Sequence, residues 1–356
     1  MSAADGDPSL RGPRGARAEP VGDDELEGLF APFLGHPGVL IAVSGGPDST
    51  ALAVLAARWR RARGEGPMLG LVTVDHGLRP GSAREAEAVR ALADAIGLSH
   101  RTLHWRGAKP TTGVQEAARA ARYRLLTAEA KARGSGAIAL GHTLDDQAET
   151  VLFRLSRGSG LSGLAAMRPA SRRDGVALLR PLLGLPKARL IATLRAAGVP
   201  FVEDPSNGDT RYARARLRVL APLLADEGLS AARLALFARR MARADEALER
   251  ATDQAGARIG LAPWQAGAPV RLDLAGFGEL PKEIGLRLLA RAIDQNGREG
   301  PAELAKLEAM LEQIYARLKG EPSPFRRTLA GALVAIRRGE LCVSPAPERR
   351  KGPASR

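Results

Sequence analysis

Between residues 38 and about 205, short runs of branched apolar residues alternate with longer stretches rich in Ala, Leu and Arg. That alternation constrains the fold more than any other property of the chain. The candidate strands are Val39–Val43, Leu69–Asp75, Leu98–Trp105, Ala137–Gly141 and Val176–Leu179. Helical patterns fill the gaps at 49–63, 82–96, 114–134 and 144–156. Strands that alternate with helices build βαβ units, and these pair as a parallel sheet with helices on both faces. The strands at 39–43 and 137–141 carry no polar face, as central strands buried on both sides require. The reading is an α/β fold with a doubly wound, mainly parallel, Rossmann-like sheet.

After Pro205 the pattern changes to helices over 211–258 and 281–318, interrupted by the Gly/Pro-rich stretch Gly256–Pro269. Pro281 and Pro301 mark helix starts, and Gly297 and Gly320 mark ends. Thr328–Ile336 and Glu340–Val343, joined by Arg337-Arg338-Gly339, form a candidate terminal hairpin. The expected division is a disordered extension over 1–24, a catalytic α/β domain over 25–222, a mostly helical domain over 223–345 and a basic tail over 346–356. The first 24 residues lack the apolar core of a signal peptide. No apolar run reaches the roughly 18 residues of a membrane span. The single cysteine, Cys342, excludes a disulfide framework and a multi-cysteine metal site. A soluble protein of a reducing, cytoplasmic compartment is expected. The net charge of +14 is spread along the chain and points to a polyanionic partner.

The strongest local motif runs Val39-Leu40-Ile41-Ala42-Val43-Ser44-Gly45-Gly46-Pro47-Asp48-Ser49-Thr50. A buried strand enters Ser-Gly-Gly, and a helix opens with Pro-Asp-Ser. The glycines let backbone N–H groups approach an anion, and Pro47 suits the first helical turn, where its missing N–H costs nothing. The helix N-terminus and the hydroxyls of Ser44 and Ser49 add positive potential and donors. A turn with a helix cap is the plainer reading of the same residues. No Gly-Lys-Ser/Thr and no Gly-x-Gly-x-x-Gly follows the strand, so the loop is neither a Walker A nor a dinucleotide loop. Ser-Gly-Gly-x-Asp-Ser resembles the pyrophosphate loop of the N-type ATP pyrophosphatases. That resemblance implies an adenine nucleotide alpha hydrolase-like fold, and ATP cleaved between its α and β phosphates to adenylate a substrate oxygen.

Further motifs follow in order. Val74-Asp75-His76-Gly77-Leu78-Arg79 ends the second strand, where a nucleotide contact is expected of Asp75 and His76. Glu116-Ala117-Ala118-Arg119-Ala120-Ala121-Arg122-Tyr123 places Arg119 and Arg122 on one helix face. Gly141-His142-Thr143-Leu144-Asp145-Asp146-Gln147-Ala148-Glu149-Thr150 begins at another strand end, with Arg154, Arg157 and Arg180-Pro181-Leu182-Leu183 beyond it. Asp204-Pro205-Ser206-Asn207 precedes Arg211, Arg214, Arg216 and Arg218. Together these motifs resemble the tRNA(Ile)-lysidine synthetase family over roughly residues 38–222. Ala215 stands where the family pattern usually has Asn, while Arg214 and Arg218 match it.

The resemblance implies ligation of free L-lysine to C2 of the wobble cytidine in the CAU anticodon of tRNA(Ile), with ATP and Mg²⁺ as cofactors. It places Ser44, Gly45, Gly46, Pro47, Asp48 and Ser49 on ATP and assigns Asp48 to Mg²⁺. Asp146 and Glu149 receive the lysine, with Asp145 beside them, and Arg119 and Arg122 face phosphates or the RNA backbone. Arg154, Arg157, Arg211, Arg214 and Arg218 are expected to contact tRNA, in a strongly salt-dependent way. Taken alone, Asp145-Asp146 reads as a helix N-cap, and the arginines read as a solvated helix face. His76 and His142 suit nucleotide contacts and structural roles equally. The C-terminal helices suit tRNA or a homodimer interface, and Leu307, Met310, Leu311 and Ile314 read as core. Cytidine 2-thiolation uses a similar loop but needs cysteines that this chain lacks. NAD and GMP synthetases share the loop but not Glu-x-Ala-Arg or Asp-Asp-Gln-Ala-Glu-Thr. A non-catalytic RNA-binding protein would tolerate loss of Asp48, Asp146 and Glu149, and all three are present.

Overall fold

The computed structural model describes residues 18–78, 81–107, 109–202, 213–265, 267–320 and 324–347. The chain forms two units, Met1–Gly158 with Gly163–Arg240, and Ser159–Ser162 with Met241–Arg356. In the first, β1 (Gly38–Ala42), β2 (Met68–Asp75), β3 (Ser99–His104), β4 (Ala137–Leu140), β5 (Ala170–Arg173) and β6 (Val176–Leu179) form one sheet in the order β3-β2-β1-β4-β6-β5. All neighbours pair in parallel except β5, which is antiparallel to β6. The five expected strands are therefore present, and β5 is an addition. It is a polar edge strand joined to β6 across Asp174-Gly175, both at positive φ (50° and 83°). A two-residue turn of that kind matches the twist of a hairpin.

Strand side chains alternate between two cores, as a pleated sheet demands. Val39, Ile41, Leu71, Ala137, Ala139, Ala177 and Leu179 face one side. There they meet α1 (Asp23–Phe30), α2 (Pro47–Arg63), α3 (Ser82–Ile96) and α7 (Lys187–Ala196). Leu40, Val72, Ile138, Leu140, Val176 and Leu178 face Tyr123, Leu126 and Ala130 of α4 (Val114–Ala132) on the other. Helix α2 is buried from Thr50 through Ala57 without interruption, which suits a helix enclosed on every side rather than an amphipathic one. Its Trp59 closes against Phe30 and Phe33, with ring centres 5.6 and 5.9 Å away. Aromatic pairs of this kind add about 0.5–1.5 kcal/mol each beyond their area. Val21 is only 2% exposed and its N–H donates to Thr193 Oγ1 at 2.9 Å. The expected extension over 1–24 therefore ends earlier, because packing begins by Val21. Residues 1–17 lie outside the described residues.

Helices α5 (Leu144–Leu155) and α6 (Leu161–Leu164) follow β4. The helical stretch expected over 211–258 is divided into α8 (Ala213–Asp226) and α9 (Ala231–Ile259), with Gly228 at φ 88° between them. Leu234 and Ala238 pack with Ala148 and Val151 of α5, so the first unit runs to Arg240 rather than ending at 222.

The second unit contains α10 (Leu274–Gly278), α11 (Lys282–Asn296) and α12 (Leu304–Lys319). It also contains a four-stranded antiparallel sheet of β7 (Val270–Asp273), β8 (Phe325–Leu329), β9 (Ala332–Arg337) and β10 (Glu340–Pro345), in the order β7-β10-β9-β8. The hairpin across Arg338-Gly339 is present as expected. The single strand expected over 328–336 is instead two strands, broken at Ala330-Gly331, which take φ values of 51° and 77°. Leu307, Met310, Leu311 and Ile314 lie in this unit's core. Among the described residues no helix is long and apolar enough to cross a membrane.

Candidate functional site

The strand order reverses between β1 and β4, and the carboxyl ends of both strands open there, the place where open α/β sheets bind ligands. After β1, Gly45 at φ +84° and Gly46 turn the chain into α2, whose first residue is Pro47. Ser49 Oγ accepts the Ser44 N–H at 3.1 Å and donates to the Gly46 carbonyl at 3.2 Å. The loop is thus closed on itself, with the α2 N-terminus at its rim. The Val202 N–H donates to the Gly45 carbonyl at 2.9 Å and ties a distant segment to the same turn.

Gly141, after β4, lies directly against this loop. A Cβ there would fall 2.9 Å from Ser49 N and 3.0 Å from the Asp48 carbonyl carbon and oxygen. His142 and Thr143 then lead into α5. Thr143 and Asp146 form a reciprocal cap: Asp146 Oδ2 accepts the Thr143 N–H at 2.8 Å, and the Asp146 N–H donates to Thr143 Oγ1 at 3.3 Å. Asp145 Oδ2 accepts the Lys187 N–H at 2.8 Å, at the first residue of α7. Both carboxylates therefore cap helices, the plainer of the two readings of the sequence, and they do so at the mouth of the site.

Asp48, Asp145, Asp146 and Glu149 line one cavity of about 130 Å³ with Lys187, Arg218 and the apolar Leu152, Leu217, Leu229 and Leu234. Asp48 Oδ2 accepts Lys187 Nζ at 3.0 Å, while its Oδ1 is buried without a partner. Burial pushes the Asp48 carboxyl above its usual value, helped by the charges of Asp146 and Asp145 and opposed by the Lys187 ammonium. Glu149 receives Arg218 bidentately, Nε at 2.6 Å and Nη2 at 2.9 Å. Sequence reasoning missed Lys187. Its partner is 139 residues away, and only its place at a helix start beside the sheet edge marks it.

A positive cluster occupies the α4 side. Tyr123, 2% exposed, has the guanidinium carbons of Arg119 and Arg122 5.3 Å from its ring centre and that of Arg173 at 4.6 Å. Burial of Tyr123 opposes ionisation, but the charges of Arg119, Arg122 and Arg180 prevail and hold its hydroxyl below the usual range. Burial lowers His142 to about 4, joined by the charges of Arg180, Arg122 and Arg119 and opposed by that of Asp146, so the ring is neutral near pH 7. His76 is also lowered, by burial and by Arg122, and it meets the Trp105 ring edge to face at 5.9 Å. Asp75 Oδ1 accepts the Gly77 N–H at 2.8 Å. Hydrogen bonds from Ser82, Gly77 and His104 outweigh the burial of Asp75 and keep its carboxyl low.

Other expected residues lie elsewhere or have other work. Arg154 Nη1 donates to the Gly163 and Ala166 carbonyls at 2.5 and 3.4 Å, which holds the turn after α5. Arg157 covers the Phe153 ring at 4.9 Å. Arg79, Asp204-Pro205-Ser206-Asn207 and Arg211 lie outside the described residues, as does the side chain of Arg214.

A larger cavity of about 660 Å³ in the second unit is lined by Trp264, Gln295 and the already paired Arg291 and Asp253, without a free acid–base set. Among the described residues no three His, Cys, Asp or Glu are grouped to hold a metal. The donor set instead fits Mg²⁺ carried by substrate phosphates, a mode that takes one or two protein carboxylates, and the unpartnered Asp48 Oδ1 offers one.

The PP-loop domain family matches residues 20–224. The tRNA(Ile)-lysidine synthase of Bradyrhizobium sp. strain BTAi1 is 52% identical over 345 residues, covering 93% of this chain and 96% of that protein. The tRNA(Ile)-lysidine synthase of Rhodopseudomonas palustris is 51% identical over 342 residues, covering 94% and 98%. Among solved structures, the U34-tRNA thiolase NcsA from Methanococcus maripaludis aligns with a TM-score of 0.52 at 17% identity, covering 61% of this chain and 78% of that one. The last likeness concerns the fold alone.

Proposed function

The chain belongs to the tRNA(Ile)-lysidine synthase family, and from that premise we propose that it joins free L-lysine to C2 of the wobble cytidine in the CAU anticodon of tRNA(Ile), converting ATP to AMP and pyrophosphate. The observation that carries the lysine half is the small cavity. It is lined by Asp145, Asp146 and Glu149 together with Leu152, Leu217, Leu229 and Leu234, acids and apolar side chains that suit an ammonium on an alkyl chain, with Lys187 and Arg218 in the same lining.

Two displacements are needed. In the first, the cytidine C2 oxygen attacks the α phosphorus and pyrophosphate departs. The N–H groups of Gly45 and Gly46 and the α2 N-terminus would receive the departing charge. Asp48 would hold Mg²⁺, which supplies charge neutralisation on the phosphates. In the second, the lysine ε-nitrogen attacks C2 and the C2 oxygen leaves with AMP. The ammonium must first lose a proton, and Glu149 and Asp146, both in the cavity lining, would bind it and take that proton. Arg119 and Arg122 face phosphate on the α4 side.

Incubation with ATP, Mg²⁺, labelled lysine and an isoleucine tRNA transcript bearing CAU tests this reading. Label is expected in that RNA and not in the methionine tRNA with the same anticodon. No label, or equal labelling of both, would overturn it.

Lys187→Met is expected to narrow the active pH range from the acid side. Asp48 must be ionised to hold a cation, and burial already raises its pKa. Lys187 is the group that lowers it, so removing the ammonium lets Asp48 protonate at higher pH. The acid limb of kcat/KM for ATP should therefore move upward in pH. An unmoved limb would show that Asp48 ionisation does not govern ATP use.

A further inference from the structure

We infer that Arg173 and Arg180 complete, with Arg119 and Arg122, an oxyanion site around Tyr123 that takes a phosphodiester of the RNA strand carrying the reacting cytidine. The inference rests on the lysidine reading for the identity of the RNA and extends it to residues that reading does not use. Three guanidinium groups cover the Tyr123 ring within 5.3 Å, and Arg122 and Arg180 also engage its hydroxyl. None of the four makes an ion pair among the described residues, whereas the buried Arg287 meets Asp245, Glu249 and Glu283. Stacking on a ring contributes about 0.5–2 kcal/mol per cation, but it does not cancel the mutual repulsion of four like charges.

The unsatisfied groups converge as well. Arg122 Nε, Arg180 Nε, His142 Nδ1 and His76 Nδ1 are all buried without a partner. Two guanidinium N–H donors left open in one cluster, beside two unpartnered imidazole nitrogens, call for an acceptor with several oxygens, and planar guanidinium forks match phosphate geometry. Arg180 is held in place by donating Nη1 to the Arg168 carbonyl at 2.8 Å and to Ser171 Oγ at 3.1 Å, so its open Nε is a fixed feature.

Two observations favour RNA over the phosphates of ATP. The pyrophosphate loop belongs to α2, which packs on one face of the sheet, whereas Tyr123 and α4 pack on the other. The cluster also continues outward onto β5, the outermost strand, where Arg172 and Arg173 are exposed. A run of cations from the buried Tyr123 ring to a sheet edge suits a strand longer than one nucleotide.

The test is equilibrium binding of an anticodon stem-loop over a range of salt, without ATP or lysine, together with ATP binding measured separately. Arg173→Ala is exposed and leaves the core intact. It is expected to weaken RNA binding about tenfold and to reduce the salt slope by about 0.7–0.9, one phosphate contact. Arg180→Lys, which keeps the charge and loses the fork, should weaken RNA binding without reducing the slope as far. ATP affinity should stay within twofold in both. Unchanged RNA affinity and slope in Arg173→Ala would overturn the inference, and so would a loss confined to ATP affinity, which would make the cluster a polyphosphate site. Binding needs no turnover, so a wild-type protein that transferred no lysine would sink the lysidine reading without deciding this result.

Discussion

Glu149→Gln is expected to lower kcat/KM for lysine by roughly 100- to 1,000-fold and to leave ATP affinity within twofold. The Glu149 side chain is 12% exposed and holds Arg218 through both oxygens, at 2.6 and 2.9 Å. An amide can accept with one oxygen only, and it carries no charge to offer an ammonium. Arg218 is 45% exposed, so losing that pair costs little in itself; removing a carboxylate that accepts the proton of the nucleophile typically costs about 10²–10⁴-fold. Glu149 makes no hydrogen bond to the Ser44–Ser49 loop, so the loss should fall on lysine. Initial rates at varied lysine, with ATP binding followed by calorimetry, check it. A normal lysine KM would move the ammonium site away from this carboxylate. Asp146 is a poorer choice for the same test, because its Oδ2 also closes the α5 cap and a change there mixes folding with binding.

Gly141→Ala is expected to cost ATP affinity at least tenfold and to destabilise the fold by about 1–3 kcal/mol, as overpacking of a tight contact does. The added methyl would meet Ser49 N, Asp48 C and Asp48 O at 2.9–3.0 Å, and all three are backbone atoms. No side chain can rotate aside, so the turn from β1 into α2 must shift. On the proposed reading that turn presents its N–H groups to the pyrophosphate, and a small displacement there weakens every donor together. ATP binding and the thermal midpoint, measured on one preparation, give the result. Wild-type ATP affinity would mean that the loop binds its ligand without the close approach of β4.

The central architecture was legible because its signals are local. Val39 to Val43 and Ala137 to Leu140 are too apolar for an edge, and Ser-Gly-Gly-Pro-Asp-Ser leaves few other ways to join a strand to a helix. β5 was missed because Ala170–Arg173 is polar, as a strand with one neighbour and open faces is free to be. Its turn, Asp174-Gly175, was the available signal. The break at Ala330-Gly331 was hidden because Ala is an unusual choice for positive φ. In the site, the carboxylates and a capping role for them were legible, but not which helix Asp145 caps. Asp145 caps a helix that starts 42 residues later, a pairing that only the sheet's topology brings about. Lys187, Arg173 and Arg180 escaped as site residues for the same reason: what they touch is distant in the chain.

Asp145 and Asp146 have a consequence for anyone redirecting the enzyme to another amine. Each spends one oxygen holding up a helix end, so selection for loss of turnover and selection for loss of solubility would converge on the same two positions. On the proposed reading, the reach of the nucleophile is set elsewhere, by the apolar lining of Leu152, Leu217, Leu229 and Leu234. A library that varies those four and leaves the acids alone can lengthen or shorten the accepted alkyl chain while the framework stays standing.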